Sequence, residues 1–164
     1  MKWVNVNDGN QGEHYELWDN ERKVVSLSLS NHTKIARVES ASDKRLFFIE
    51  KKGFLHAKTV IRNEYGIKLG ELNSENWDEG VIDLDGKKYT YAFPHNADEK
   101  LVIYDDARLS PIVSCSLSAL FTNVPAMMER SRSLHDTRYP SLLMALCWYL
   151  LKVSVSQTLK ETAA

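Results

Sequence analysis

Leu142-Leu143-Met144-Ala145-Leu146-Cys147-Trp148-Tyr149-Leu150-Leu151 is a run of ten apolar residues near the end of the chain. Leu, Met and Ala are strong helix formers, Pro140-Ser141 precede the run as a start signal, and Asp136 or Thr137 can cap it. A helix over about 140–155 is therefore predicted. Apolar side chains cover every side of it rather than one stripe, so it needs protein or lipid all round. Length decides between the two. Ten residues rising 1.5 Å each span about 15 Å, half of a roughly 30 Å hydrocarbon core. Lys152, Ser154 and Ser156 stop the run from reaching about 20 apolar residues. The helix is expected inside a protein core.

What surrounds it is written upstream in period two. Val25-Ser26-Leu27-Ser28-Leu29-Ser30 and Val113-Ser114-Cys115-Ser116-Leu117-Ser118 alternate apolar and hydroxyl side chains, with Cys115 in an apolar position, the pattern of strands with one face in a core. Shorter β-rich runs lie at 2–6, 15–18, 34–39, 45–51, 55–62, 67–72, 81–84, 87–93 and 101–104, giving about eleven candidate strands. The gaps are short. Asp85-Gly86, between Ile82-Asp83-Leu84 and the run at 87–93, suits the positive φ angles of a type I′ hairpin. An antiparallel meander follows.

A weak repeat organises these strands. Residues 16–25, 60–69 and 102–109 share one plan: strand, Asp or Asn, short polar turn, strand, with the Asx residues Asp19, Asn63 and Asp105. The spacing leaves room for four short strands per unit, hence about twelve in all. Propeller blades have a similar period, but three blades fall below the usual minimum of four. A closed sheet of about twelve strands, roughly 4.8 Å apart and tilted near 40°, has a radius of about 11–12 Å. Wall side chains alone do not fill that. A helix about 10–12 Å across does. The reading is a mainly β fold: a closed antiparallel barrel of about twelve strands around a central hydrophobic C-terminal α-helix. One domain covers 1–164, with strands over about 2–120, a connecting segment at 121–139 holding one short helix, and the central helix at about 140–155.

This plan resembles the tubby C-terminal-like superfamily, which includes tubby proteins, phospholipid scramblases and LURP-one-related proteins. The likeness is carried by the stretch 53–72, Gly53-Phe54-Leu55-His56-Ala57-Lys58-Thr59-Val60-Ile61-Arg62-Asn63-Glu64-Tyr65-Gly66-Ile67-Lys68-Leu69-Gly70-Glu71-Leu72, and by His135-Asp136 leading into the helix. It implies the helix-filled barrel and, as in tubby proteins, contact with anionic phospholipid or phosphoinositide head groups. Neither a palmitoylation-type cysteine cluster nor an acidic calcium loop of the scramblase kind is seen, so scramblase activity is not implied.

Charge gives the same hint locally and not globally. The 164 residues carry 21 Lys and Arg against 22 Asp and Glu, a net charge of −1, which provides no field for nucleic acid. Residues 34–68, however, hold Lys34, Arg37, Lys44, Arg45, Lys51, Lys52, Lys58, Arg62 and Lys68 against four acids, an excess of five. Residues 71–106 hold an acidic excess of seven. Lys51, Lys52, Lys58 and Arg62 are the candidate anion- or lipid-binding residues, with His56, Lys58 and Arg62 on one strand face by period two. The same pattern also fits a solvated wall whose basic strands stand beside acidic ones.

Catalytic and metal signatures are not evident. Asp83-Leu84-Asp85-Gly86, with Asp78 and Glu79 nearby, lacks the ligand ladder of a calcium loop. His14, His32, His56, His95 and His135 form no HxxxH or HExxH, and Cys115 and Cys147 no CxxC. Both cysteines read as core fillers. No G-x-S-x-G, P-loop or G-x-G-x-x-G occurs. The expectation is a non-enzymatic binding module without cofactor. It would be cytoplasmic, with reduced thiols and peripheral contact with a membrane, and its partner an anionic lipid surface or a protein. The alternative is a lipocalin-like carrier or enzyme with a cavity in the barrel, which a helix filling the lumen would leave no room for.

Overall fold

The computed structural model describes residues 1–7, 12–30, 32–52, 58–74, 79–93, 100–105, 110–116 and 126–162, the last stretch with side chains over 127–154. The strands are β1 (Lys2–Asn5), β2 (Gly12–Asp19), β3 (Arg22–Ser30), β4 (Ile35–Ser40), β5 (Leu46–Lys52) and β6 (Lys58–Asn63). They continue as β7 (Lys68–Ser74), β8 (Glu79–Leu84), β9 (Lys87–Ala92), β10 (Lys100–Asp105), β11 (Pro111–Ser116) and β12 (Ala126–Arg130). A 3₁₀ turn (Arg132–Asp136) then leads to helix α1 (Pro140–Thr162). Each strand pairs antiparallel with the next, and β12 returns to β1 with Lys2 opposite Met127 and Trp3 opposite Ala126. The sheet is a closed twelve-stranded barrel.

The helix runs through it. Residues 142–148 are each at most 3% exposed. The helix touches β3 and β4 on one side and β10 and β11 on the other, which lie across the barrel from each other in strand order. Trp148 stacks on Trp3 of β1 with ring centroids 5.5 Å apart and meets Tyr15 of β2 edge-on at 5.4 Å. Cys147 (0% exposed) and Cys115 of β11 (1%) are small parts of the same core, and burial pushes the Cys147 thiol well up. No described helix is long and apolar enough to cross a membrane.

Hairpin chemistry sets the register. Asp85 (φ 52°) and Gly86 (φ 79°) supply the two left-handed residues of the β8–β9 turn, and the Asp83 carboxylate accepts the Gly86 N–H at 3.1 Å. Gly70 of β7 is fixed by close approach, since a Cβ there would lie 1.9 Å from the Asp83 carbonyl oxygen. The repeat is visible in the ladder. Asp19, Asn63 and Asp105 are the last residues of β2, β6 and β10, four strands apart around the barrel. Just before each, the register shifts: between Leu17 and Trp18, Ile61 and Arg62, and Ile103 and Tyr104. Such irregularities increase local twist, which helps a sheet curve round to close.

Two boundaries differ from the sequence reading. The segment 121–139 is more than a connection with a short helix, because it contains β12 as well as the 3₁₀ turn. Met, Glu and Arg favour helix, and the demand to close the barrel overrides that propensity. The helix also continues past 155 to Thr162. At its exit Lys152 reaches the Glu13 carboxylate at 2.8 Å and lies over the Tyr15 ring, while the Ser154 hydroxyl donates to the Leu150 carbonyl. One refinement concerns β3, where Ser26 on the outer face is buried between Glu16 and Glu39 of the neighbouring strands. Leu117-Ser118, Pro125 and the start of the run at 55–62 lie outside the described residues.

The buried helix makes Leu146→Asp incompatible with folding, because it places an unpaired charge where the side chain is 0% exposed. Soluble Leu146→Asp protein with the wild-type melting temperature would refute the placement, whereas Leu146→Ala is expected to remain folded and lose about 2–5 kcal/mol. Acid stability offers a second check. Partial burial raises the Glu13 carboxyl, but Lys152 and the Tyr15 hydroxyl hold it below its ordinary 4.5. The unfolded chain therefore binds the extra proton first, so this stabilisation is complete above pH 4.5 and disappears as pH falls through the folded value. Urea titrations over that acid window should show a shallower pH dependence in Glu13→Gln than in wild type.

Candidate functional site

The outer wall of β5–β7 carries three of the four basic residues singled out in the sequence. On β5, Phe47 and Ile49 face the lumen, so Phe48, Glu50 and Lys52 face outward. On β6 the outward residues are Lys58, Val60 and Arg62, set beside them by the pairings Lys52–Lys58, Glu50–Val60 and Phe48–Arg62. Lys51 is separated from this group. It shares the inward parity of Phe47 and Ile49 and emerges at the rim where α1 leaves the barrel. His56, proposed for the same face as Lys58 and Arg62, lies outside the described residues.

Carboxylates are threaded between these cations. Glu50 lies 3.2 Å from Lys52 and 3.3 Å from Arg62, and Glu71 of β7 lies 2.8 Å from Lys68. The Lys52 ammonium, followed by the Arg62 guanidinium, holds the Glu50 carboxyl below its ordinary value. Lys68 and then the Asn73 amide do the same for Glu71, with Lys58 contributing at longer range. The wall is thus a lattice of alternating sign, so the basic excess of the sequence is partly neutralised where the strands meet.

At one end of this wall the β6–β7 turn forms a feature the sequence reading passed over. Tyr65 is 80% and Ile67 60% exposed. The turn is braced from below. The Asn63 side-chain oxygen accepts the N–H groups of Tyr65 (3.0 Å) and Ile67 (2.9 Å), and Arg62 Nη1 donates to the Gly66 carbonyl at 2.8 Å. Gly66 supplies the left-handed φ of 75°. An aromatic and an aliphatic side chain therefore project from a fixed tip, with Arg62 and Lys68 at its base and Glu64 as its one carboxylate. The signal was present as Tyr65-Gly66-Ile67 inside an Asx turn, since apolar residues at a hairpin tip bury nothing in their own domain.

The acidic residues of β8 and its turn are engaged structurally. Asp83 caps the hairpin, and Asp85 accepts the Tyr139 hydroxyl and lies 2.8 Å from Arg138. Asp78 lies outside the described residues. No group of three or more His, Cys, Asp or Glu side chains that could hold a metal ion occurs among the described residues.

No known protein-family model matches the chain, and neither a curated protein nor a solved structure matches it.

Because the ion pairs of this wall lie at the surface, they are worth little to the fold. Glu50→Gln should change unfolding free energy by no more than about 1 kcal/mol. A urea-unfolding measurement checks this, and a loss of several kcal/mol would mean that the Lys52–Glu50–Arg62 cluster is instead a buried structural element.

Proposed function

We propose that the protein is a non-catalytic binding module that docks on an anionic phospholipid surface through the outer wall of β5–β7 and the β6–β7 tip. The observation that carries the reading is the braced tip, with Tyr65 and Ile67 exposed above Arg62 and Lys68. Tyrosine suits the interface between acyl chains and head groups, and a nearby Lys or Arg gains about 1 kcal/mol from an anionic leaflet. Lys52 and Lys58, further along the same face, extend the contact. Glu50 holds Lys52 and Arg62 only weakly at the surface, so lipid phosphates can take over as partners. Preorganisation favours this use, since the backbone of the tip is already braced before docking.

The competing reading, a carrier or enzyme with a ligand inside the barrel, needs the space that residues 142–148 of α1 occupy.

Co-sedimentation with phosphatidylcholine vesicles, with and without phosphatidylserine, tests the docking. Wild type is expected to bind the anionic vesicles and to release them as salt rises, because screening acts within about 10 Å at 0.1 M. Lys58→Ala/Arg62→Ala should lose roughly tenfold or more in partitioning, and Tyr65→Ser/Ile67→Ser should lose a similar amount while keeping its melting temperature. Wild type that ignores anionic vesicles at low salt would sink the proposal, leaving a protein partner for the tip as the outcome.

A further inference from the structure

The chain holds two cysteines, and the fold brings them to one place in the core. Cys115 belongs to β11 and Cys147 to α1, and neither is more than 1% exposed. The Cys147 Sγ lies 3.8 Å from the Leu101 carbonyl oxygen of β10. Leu101 is the residue directly opposite Cys115 across the β10–β11 ladder. Residues opposite each other in an antiparallel pair share a face of the sheet, and this face is the lumen side, since Leu101 is wholly buried. The sulfur on the helix therefore stands over the rung that carries Cys115. Both the side chain and the N–H of Cys115 act as hydrogen-bond partners of the Cys147 thiol.

Small side chains on both elements let α1 approach the wall at β10 and β11. Close approach is what a disulfide requires, because its Cα atoms stand about 4.4–6.8 Å apart. A bond here would close a loop of roughly 30 residues. That loop contains β12, which completes the ring at Lys2–Met127 and Trp3–Ala126, and the 3₁₀ turn that leads into the helix. One bond would thus fasten the central helix and the closing strand to the wall together.

Burial also sets the pace of such a reaction. The apolar surroundings push the Cys147 thiol well up, and the thiolate is the reactive form. Oxidation is accordingly slow while the barrel is closed and faster when the helix loosens locally.

We propose that Cys115 and Cys147 form an oxidative modification site, at which a peroxide converts the two thiols into one disulfide that fastens α1 to β11. With hydrogen peroxide, the first sulfur is oxidised to a sulfenic acid as the O–O bond breaks and one water leaves. The second sulfur then displaces the hydroxyl, which departs with that thiol's proton as a second water. Two S–H bonds are lost, one S–S bond is gained, and the two electrons end on the peroxide oxygens. The site lies in the core and does not depend on docking of the β6–β7 tip.

The test treats reduced full-length protein with hydrogen peroxide in water and in urea below the unfolding transition, followed by intact mass, non-reducing electrophoresis and alkylation after unfolding. Wild type should remain a monomer, lose two hydrogen masses and expose no alkylatable thiol, with peptides 109–130 and 139–152 joined after trypsin digestion. Bridging should be faster in urea than in water. Returned to water, the bridged monomer should keep the near-ultraviolet circular dichroism of the Trp3–Trp148 stack, whose Trp148 adjoins Cys147. It should melt roughly 5 °C or more above the reduced protein, and dithiothreitol should reverse the gain. Cys115→Ala should show neither the bridge nor the rise. The proposal is overturned if both thiols stay alkylatable, if the protein gains oxygen or forms covalent dimers instead of the internal bridge, or if the bridged monomer loses the tryptophan signal or melts no higher than the reduced form.

Discussion

A barrel of twelve strands is too wide for its own wall side chains to meet across the middle, and the rest of the architecture depends on how that space is filled. Here an all-apolar helix fills it, with residues 142–148 almost wholly withdrawn from solvent. Each buried Leu or Met side chain contributes about 1.5–3 kcal/mol, so the segment is a large share of the core. Wall and helix need each other. The helix has no polar face to show to water, and the wall without it would enclose a void lined by Leu17, Leu27, Phe47, Ile61 and Leu101, all at most 1% exposed.

The helix is tied to the wall at both ends, with residues 142–148 filling the middle of the lumen between them. Helix entry is secured by the Ser40–Ser141 hydroxyl contact at 2.9 Å and by Tyr139 and Arg138 on Asp85. Arg45 lies near the Phe47 and Tyr139 rings at 5.2 and 5.1 Å, closing the same end. The exit is held by Lys152 on Glu13 and Tyr15. Beside that exit Tyr149 of the helix and Lys51 of β5 line a common small cavity at the rim.

Closure has a second consequence, on the outer surface. An antiparallel meander places each of β2–β11 between its two sequence neighbours and closure sets β1 beside β12, so residues distant in a charge count become cross-strand partners. Lys52 and Arg62 converge on Glu50, and Lys68 meets Glu71. A basic excess along the chain becomes a lattice of mixed sign, and what stands out instead is the pair of apolar side chains at the β6–β7 tip. The three register shifts before Asp19, Asn63 and Asp105 indicate how the sheet is bent into a ring by one local device used at equal intervals.

The sequence by itself determined the helix, eleven of the strands, the Asp85-Gly86 hairpin and the enclosure of one by the other. Those features rest on local rules: a ten-residue apolar run must be surrounded, alternation makes one face of a strand apolar, and Asp-Gly accepts positive φ. The fourfold spacing of the Asx turns was legible for the same reason, since each turn is made within a few residues. Tertiary structure decided the twelfth strand, because residues 126–130 carry helix-forming side chains and become β only by joining β11 to β1. It also decided which charges meet. Period two puts Lys58 and Arg62 on one face and Lys51 on the other from Lys52, but only pairing between strands brings Glu50 between Lys52 and Arg62, or sets Arg37 beside Ser28 and His14. Facing is a property of one strand and can be read along it, whereas neighbourhood across a barrel is fixed by register, which closure sets.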